Sequence, residues 1–158
     1  MTQRGDSTRT AHAGLPAGAD GEPFLPGPTF AAPYHLAGPT DASRFSYGRY
    51  DNPTWARLEE ALGELEGARS VVFSAGMAAV SAVVIPNLHT GNVLVAPSDA
   101  YPGIRAIARD VLEPNGVEVR LERADDGAVR AALPGATLVW LESPSNPGLD
   151  VLDLPALI

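Results

Sequence analysis

The sequence predicts an α/β fold built on a mainly parallel sheet. After residue 52, short β-branched segments alternate with segments of helical periodicity, and glycine or proline marks the junctions between them. Strands that are separated by helices pair in parallel, because each helix carries the chain back across the sheet. Residues 1–50 show neither period and are expected to lie outside this α/β part.

Residues 1–50 are predicted to form an arm. Stretches such as "GLPAGADGEPFLPGPTF" are rich in the residues that break helices and strands. A disordered tail would have this composition too, but the arm carries more apolar and aromatic residues than tails usually do. These are Phe24, Leu25, Phe30, Tyr34, Phe45, Tyr47 and Tyr50. We therefore expect the arm to be ordered by docking on a partner surface.

A helix is predicted from Pro53 to about residue 66. Asn52 can cap its start, proline suits its first position, and Gly67 can end it. The next segment, "RSVVFS" (69–74), is predicted to be a buried strand. Further helices are expected near 76–88, 102–113 and 126–133, with strands at "NVLVA", "VEVRLE" and "TLVWLE".

Composition excludes several classes of function. Eleven basic and nineteen acidic residues give a formal net charge of −8, with no basic cluster, which argues against nucleic acid or an anionic membrane as a partner. All eleven basic residues are arginine, and the chain contains neither lysine nor cysteine. The polar start and the short apolar segments make a cytoplasmic protein the default expectation.

The carboxyl ends of the predicted strands are where a ligand site is expected. At the first of them, Gly76 and Met77 begin a helix, whose free N–H groups could face an anion such as phosphate. A glycine needed only for a tight turn explains the same residues equally well. The dinucleotide, P-loop and hydrolase glycine motifs do not match here.

Three polar side chains follow the other strands. Tyr101 could stack on a planar ligand or merely cover the core. Glu142 ends the last strand, and prolines on both sides restrict the backbone of Asn146, although a simple turn explains that pattern almost as well.

The three histidines are too scattered for a metal site. Trp140 is expected to serve in packing.

Taken in order, these motifs resemble a known family. The segments "TRTAHAG", "PGPTFAAPYH", "YGRYDNPTWARLEEALGELEG", "FSAGMAAVSA", "SDAYPG" and "WLESPSNPGLDVLDL" together resemble the N-terminal part of the pyridoxal-phosphate (PLP) enzymes of cysteine and methionine metabolism, the group of cystathionine γ-lyase and cystathionine γ-synthase. The sequence departs from the usual pattern at Ala75, where a second serine is common, and at "YPGI", where Tyr-Gly-Gly-Thr is more frequent.

The resemblance implies the first part of the large domain of a fold-type-I, aspartate-aminotransferase-like PLP-dependent transferase, with an incomplete sheet. Residues 1–50 would be an arm that contacts a neighbouring subunit, and residues 51–158 a partial PLP-binding domain truncated before the cofactor lysine. The family's first strand, here 69–74, is separated from the next three by strands that would lie beyond Ile158.

The resemblance also implies a cofactor-binding role for seven residues. Gly76 and Met77 would offer N–H groups to the phosphate of pyridoxal 5'-phosphate, and Tyr101 would stack on its ring. Asn146, supported by Glu142, would bind near the ring oxygen and the substrate carboxylate. Tyr47 and Arg49 would reach the phosphate bound by a neighbouring subunit, in a homo-oligomer that is a dimer or tetramer.

No catalytic residue is expected in this chain, because the family's Schiff-base lysine is absent and arginine cannot replace it. The expected full-length function is γ-elimination of L-cystathionine, a sulfur-containing amino acid, to cysteine, 2-oxobutanoate and ammonia. Cystathionine γ-synthase or a related member is the alternative within the family. A non-catalytic module that binds a phosphorylated ligand or a partner, or a product without function, would equally explain the missing lysine.

Overall fold

The computed structural model describes residues 5–158, so the first four residues of the predicted arm lie outside the described part. The chain divides into two compact units, with the boundary between Val72 and Phe73. In chain order, the helices and strands are α1 (Asp6–His12), α2 (Pro53–Glu66), α3 (Gly76–Asn87), β1 (Val93–Pro97), α4 (Pro102–Ile107), β2 (Glu118–Glu122), α5 (Asp126–Ala132), β3 (Leu138–Val139) and α6 (Leu154–Leu157).

The second unit is built on a three-stranded parallel sheet in the order β2-β1-β3. The central strand β1 pairs with β2 from Val93 opposite Glu118 to Pro97 opposite Glu122. On its other side, Leu94 and Val95 pair with Leu138 and Val139. All five residues of β1 are buried, as expected for a parallel strand covered on both faces. The predicted parallel α/β sheet is therefore confirmed.

Helices α3 and α4 pack with the sheet around one hydrophobic core. The core contains Val84 and Leu88 from α3, Leu94 from β1 and Ile104 from α4, with Trp140 partly buried against it. After Ile107 the helical chain widens into a π-helical turn over Ala108–Leu112 and ends in a 3-10 turn at Glu113–Asn115. The predicted helix near 102–113 therefore exists, but with three successive geometries.

The strand predicted at residues 69–74 is wrong. Val71 and Phe73 are exposed, at 68% and 44%, and no strand of the described chain pairs with this segment. The Val72 N–H donates instead to the Glu59 carboxylate at 2.9 Å. Because a β-strand exists only when a neighbouring strand satisfies its backbone groups, β-branched composition alone does not create one. The predicted strand at 137–142 is likewise shortened to two paired residues.

Helix α2 organises the first unit. Asn52, only 5% exposed, accepts the Thr54 N–H at 2.8 Å and thereby caps the helix, and Gly67 ends it in the left-handed conformation with φ 66°. Both predicted ends are confirmed. The other side of the Asn52 amide donates to the Thr29 carbonyl and to the Tyr34 hydroxyl, at 3.0 and 3.3 Å. The arm is thus held by the helix that follows it in the same chain.

The far end of α2 holds the beginning of the described arm. Arg9 in α1 donates to the carbonyl oxygens of Glu64 and Leu65, which lie in the last turn of α2 and lack intrahelical donors. A cationic side chain at a helix C-terminus is also favoured by the helix dipole. Residues 5–72 therefore form a compact unit, whereas docking of the arm on a partner surface stays a prediction.

Candidate functional site

A pocket of about 410 Å³ lies in the second unit, at the carboxyl ends of its strands. This volume is within the range typical of small-molecule sites. The pocket is lined by the start of α3, the start of α4 and the segment that follows β3; the residues are Ala75, Gly76, Met77, Val80, Tyr101, Ile104, Trp140 and Glu142. Four residues predicted from the sequence as site residues, Gly76, Met77, Tyr101 and Glu142, are brought together here.

No side chain caps the N-terminus of α3. The preceding residue is Ala75, whose methyl group cannot accept a hydrogen bond, and the first hydrogen bonds of the helix are donated by the N–H groups of Ala78 and Ala79. The N–H groups of Gly76 and Met77 consequently point out of the helix, at the positive end of its dipole. A Cβ atom placed on Gly76 would meet no atom within 4 Å, so the space beside it is open to a ligand.

Tyr101 provides an aromatic wall to the pocket. It immediately precedes α4, and its side chain is half exposed, at 51%. Its backbone N–H donates to Glu142 Oε2 at 2.7 Å, which ties the start of α4 to the segment after β3. An exposed phenol ring that is fixed through its own backbone can stack on a planar ligand without much loss of entropy.

Asn146 lies outside the lining of this pocket. It is exposed, in a turn between Ser143 and Asp150. That turn is closed by Ser145, which is 1% exposed: its N–H donates to the Asp150 carbonyl at 2.8 Å, and its Oγ accepts the Asp150 N–H at 3.1 Å. The described hydrogen bonds do not join Asn146 to Glu142, whose recorded partner is Tyr101.

Tyr47 and Arg49 belong to the first unit. Tyr47 forms an isolated antiparallel bridge with Pro33, and the Arg49 guanidinium lies 5.1 Å from the centre of the Tyr47 ring. This cation–π contact holds the two side chains together. Their expected role at the phosphate of a neighbouring subunit stays a prediction.

Trp140 was not predicted as a site residue, although it lines the pocket in addition to packing on the core. Its spacing from Glu142 was the available signal, because residues two apart lie on the same side of an extended chain. Val80 and Ile104 could have been found similarly, one helical turn after Gly76 and Tyr101. These three side chains make the pocket largely apolar.

Shifted pKa values occur at surface ion pairs. The hydrogen bond from Arg109 lowers the pKa of Asp110 and raises that of Arg109. The pKa of Arg44 is raised as well, and its hydrogen bond to Glu60 is the largest cause.

Among residues 5–158, no three His, Cys, Asp or Glu side chains form a group that could hold a metal ion. No helix in the described range is long and apolar enough to cross a membrane.

The donor set fits a phosphorylated aromatic ligand. The N–H groups at the start of α3 suit a phosphate, while the apolar and aromatic walls suit a flat ring. The ionisable side chains that line the pocket are Tyr101 and Glu142, so the lining contains no cation. Pyridoxal 5'-phosphate combines these two features, a phosphate and a planar ring.

Comparison with known proteins agrees with this geometry. The profile of the family described as "Cys/Met metabolism PLP-dependent enzyme" matches residues 10–158. A protein of Streptomyces coelicolor named "Putative cystathionine gamma-lyase" is 48% identical over 160 residues, which cover 98% of this chain and 40% of that protein. The cystathionine gamma-synthase of Mycobacterium tuberculosis is 39% identical over 162 residues, covering 97% of this chain and 40% of that protein.

Among solved structures, the crystal structure of a cystathionine gamma-lyase from Micromonospora echinospora aligns with a TM-score of 0.81 at 33% identity. The alignment covers 98% of this chain and 41% of that one. The fold is therefore the first part of a fold-type-I PLP enzyme, as expected, and the chain spans about two fifths of the length of its relatives. Its cofactor is pyridoxal 5'-phosphate, and the chain belongs to the PLP-dependent enzymes of cysteine and methionine metabolism.

Proposed function

We propose that this chain is the cofactor-binding N-terminal part of a cystathionine γ-lyase, which eliminates at the γ carbon of L-cystathionine. The products are cysteine, 2-oxobutanoate and ammonia, and one water is consumed. The observation that carries the proposal is the pocket in which the start of α3, Tyr101 and Glu142 meet. The 48% identity to the Streptomyces coelicolor protein supports the choice of a lyase.

In this proposal the chain's own groups hold and orient the cofactor. Gly76 and Met77 donate their N–H groups to the phosphate, and the Tyr101 ring stacks on the pyridine face. Glu142 keeps Tyr101 in place through the 2.7 Å hydrogen bond to its backbone. Bound pyridoxal 5'-phosphate supplies an electron sink that lowers the barrier to breaking bonds at the carbon atoms of an amino acid.

Arg49 supplies a positive charge, and Tyr47 a hydroxyl donor, to the phosphate bound by a neighbouring subunit. A phosphate carries about two negative charges, and the pocket lining of this chain contains no cationic side chain. A guanidinium matches phosphate oxygens with two parallel hydrogen bonds, which makes arginine the suitable donor. In this proposal the chain therefore works in a homo-oligomer, a dimer or a tetramer. The proposed location is the cytoplasm.

Asn146 binds the substrate carboxylate and the ring oxygen of the cofactor. Its side-chain NH2 group has two N–H donors, so it can donate one hydrogen bond to each of these acceptors. The closed turn around the buried Ser145 gives Asn146 a fixed backbone position despite its exposure. The substrate is a sulfur-containing amino acid, whose carboxylate the asparagine orients.

Cystathionine γ-synthase is the second candidate within the family, because relatives of both names match almost the whole chain. A non-catalytic module that binds a phosphorylated ligand is the candidate outside it, and it is favoured by the absence of lysine in these 158 residues. No side chain that lines the described pocket is an amine, so none of them can form the Schiff base that a lysine forms with the cofactor.

The direction of the reaction separates these candidates. We would incubate the native protein, expressed from its own gene, with pyridoxal 5'-phosphate and L-cystathionine, and follow release of 2-oxobutanoate. A lyase produces it. Net formation of cystathionine from cysteine and an O-acylated homoserine, with release of the acyl group as its acid, would identify a synthase instead. Saturable binding of the cofactor without either reaction would identify a binding module.

A further inference from the structure

Gly103 is a glycine in a position where the helix itself would favour another residue. It is the second residue of α4, and its φ lies outside the left-handed region that requires glycine. Alanine stabilises a helix relative to glycine, because glycine loses more backbone freedom when the helix forms. A reason for this glycine therefore has to come from its surroundings.

The surroundings of Gly103 are two residues of the pocket. A Cβ atom built on Gly103 would lie 2.8 Å from Met77 Cε and 2.9 Å from Tyr101 Cε1, and it would also overlap the Met77 sulfur. Real Cβ atoms essentially never come within 3.0 Å of another heavy atom. The Met77 side chain and the Tyr101 ring thus lie side by side against the bare backbone of Gly103.

The two neighbours differ in their ability to move. The Met77 thioether has three rotatable bonds and could shift away. The Tyr101 ring is rigid, and its backbone is held by Glu142, so a side chain at residue 103 would tilt the ring. Tyr101 and Met77 both line the pocket, and a tilt of the ring would therefore change the pocket wall.

We propose that Gly103 is a positioning residue: the absence of its side chain lets Tyr101 and Met77 pack on the α4 backbone and sets the ring at the angle that stacks on the cofactor. This inference rests on the proposed function, since it takes the pocket to bind pyridoxal 5'-phosphate. Gly103 touches no ligand itself and acts only through its two neighbours.

The test compares two alanine substitutions at matched helix positions. The chain has two tryptophans, so a Trp55→Phe background leaves Trp140, which lines the pocket, as the reporter. Quenching of its fluorescence gives the Kd for pyridoxal 5'-phosphate, and competition gives the Kd for inorganic phosphate. Gly127, the second residue of α5, is the control, because a Cβ there would meet only Asp125 Oδ1, at 3.2 Å.

We expect Gly103→Ala to raise the Kd for pyridoxal 5'-phosphate about 3- to 5-fold, which is part of the loss expected when the stacking contact is removed completely. The Kd for inorganic phosphate should change less than about 2-fold, because phosphate contacts the N–H groups of α3 rather than the ring. The unfolding temperature of Gly103→Ala should stay close to that of Gly127→Ala, because the Met77 and Tyr101 side chains can move aside and both substitutions favour the helix. A merely structural role for Gly103 would lower it instead.

Met77→Ala provides a second route to the same answer if Gly103→Ala does not fold. Removing this neighbour of the Tyr101 ring should also raise the Kd for pyridoxal 5'-phosphate, without raising the Kd for inorganic phosphate. Equal affinity of the reference protein and both variants for pyridoxal 5'-phosphate would overturn the role of Gly103 and leave the proposed function standing. Absence of binding by the reference protein itself would overturn both.

Discussion

Glu142 illustrates how single residues define this pocket. The carboxylate Oε2 of Glu142 accepts the Tyr101 N–H at 2.7 Å. The residue therefore joins two loops that are 41 positions apart in the chain. The sequence indicated Glu142 as a site residue through its place at a strand end, but its partner could not be predicted, because the contact depends on how two loops fold together.

The stacking role assigned to Tyr101 predicts a loss of affinity on truncation. Tyr101→Ala should raise the Kd for pyridoxal 5'-phosphate about 3- to 10-fold, since an aromatic stacking contact contributes about 0.5–1.5 kcal/mol. Tyr101→Phe should bind like the native protein, because the ring remains. Titration monitored by Trp140 fluorescence measures both values. Phe30→Ala, at an exposed aromatic residue of the first unit, is the control, and an equal loss in that variant would refute a specific role for Tyr101.

The hydrogen bond between Glu142 and the Tyr101 N–H predicts different stabilities for two substitutions of Glu142. Glu142→Ala leaves the Tyr101 N–H without its protein partner and should lower the free energy of unfolding by about 1 kcal/mol. Glu142→Gln retains an acceptor oxygen at the same place and should stay within about 0.5 kcal/mol of the native value. Urea denaturation followed by circular dichroism measures both. Equal stability of the two variants would mean that the hydrogen bond does not hold the start of α4.

At the scale of elements, the helix ends were predictable, and so were the strands β1 and β2, but not the other two predicted strands. Asn52, Pro53 and Gly67 mark the ends of α2 through local backbone chemistry, and the structure agrees at both ends. The segment at 69–74 has the composition of a strand, but its state depends on a pairing partner, which local sequence does not reveal. The length of β3 could not be predicted either, because β1 continues to Pro97 but only Leu138 and Val139 of the predicted strand pair with it.

Asn52 links α2 to the arm and predicts a two-part effect. Asn52→Ala removes the helix cap and both bonds to the arm, and should cost about 1–2 kcal/mol. Asn52→Asp keeps the cap but loses the amide donors to Thr29 and Tyr34, so it should preserve α2 while loosening the arm. Urea denaturation measures the first effect and limited proteolysis within residues 24–34 the second. Resistance of Asn52→Asp to proteolysis equal to that of the native chain would contradict this role.

The side chain of Arg120, in β2, caps the C-terminal end of α5. Its guanidinium donates to the carbonyl oxygens of Ala132 and Pro134 at 2.8 and 2.7 Å. Arg120→Met keeps the aliphatic stem but removes these charge-assisted bonds, and should destabilise the chain by about 1 kcal/mol. Arg109→Met, which removes only an exposed pair with Asp110, should change stability by less than about 0.5 kcal/mol. Urea midpoints that rank the two variants the other way would contradict the assignment.

At the scale of the whole molecule, the residues proposed to bind the cofactor are divided between the two compact units. Tyr101 and Glu142 follow the parallel strands β1 and β3, so their meeting in one pocket could be predicted from the shared edge of the sheet. The start of α3 follows no strand of the described chain, and its place in the pocket could not be predicted in this way. Arg49 and Tyr47 lie in the other compact unit, and their proposed ligand is bound by a second subunit. Such a role depends on assembly, so neither periodicity nor the fold of one chain reveals it.

The absence of lysine predicts non-covalent binding by the 158-residue chain. Borohydride treatment of the chain with pyridoxal 5'-phosphate should add no mass to any side chain, and the chain should release no 2-oxobutanoate from L-cystathionine. Intact mass with peptide mapping checks the first result, and a keto-acid assay checks the second. A reduced adduct on an internal peptide, or turnover by the purified chain, would contradict the prediction.

The most direct test of the central claim is an amide NMR titration of the second unit's signals in the full 158-residue chain with pyridoxal 5'-phosphate. If the start of α3 holds the phosphate, the N–H signals of Gly76 and Met77 should show the largest shifts, saturate together, and shift similarly with inorganic phosphate. Signals at the start of α5, around Gly127, should stay in place. Saturable binding that leaves Gly76 and Met77 unshifted, or no saturable binding at all, would contradict the account.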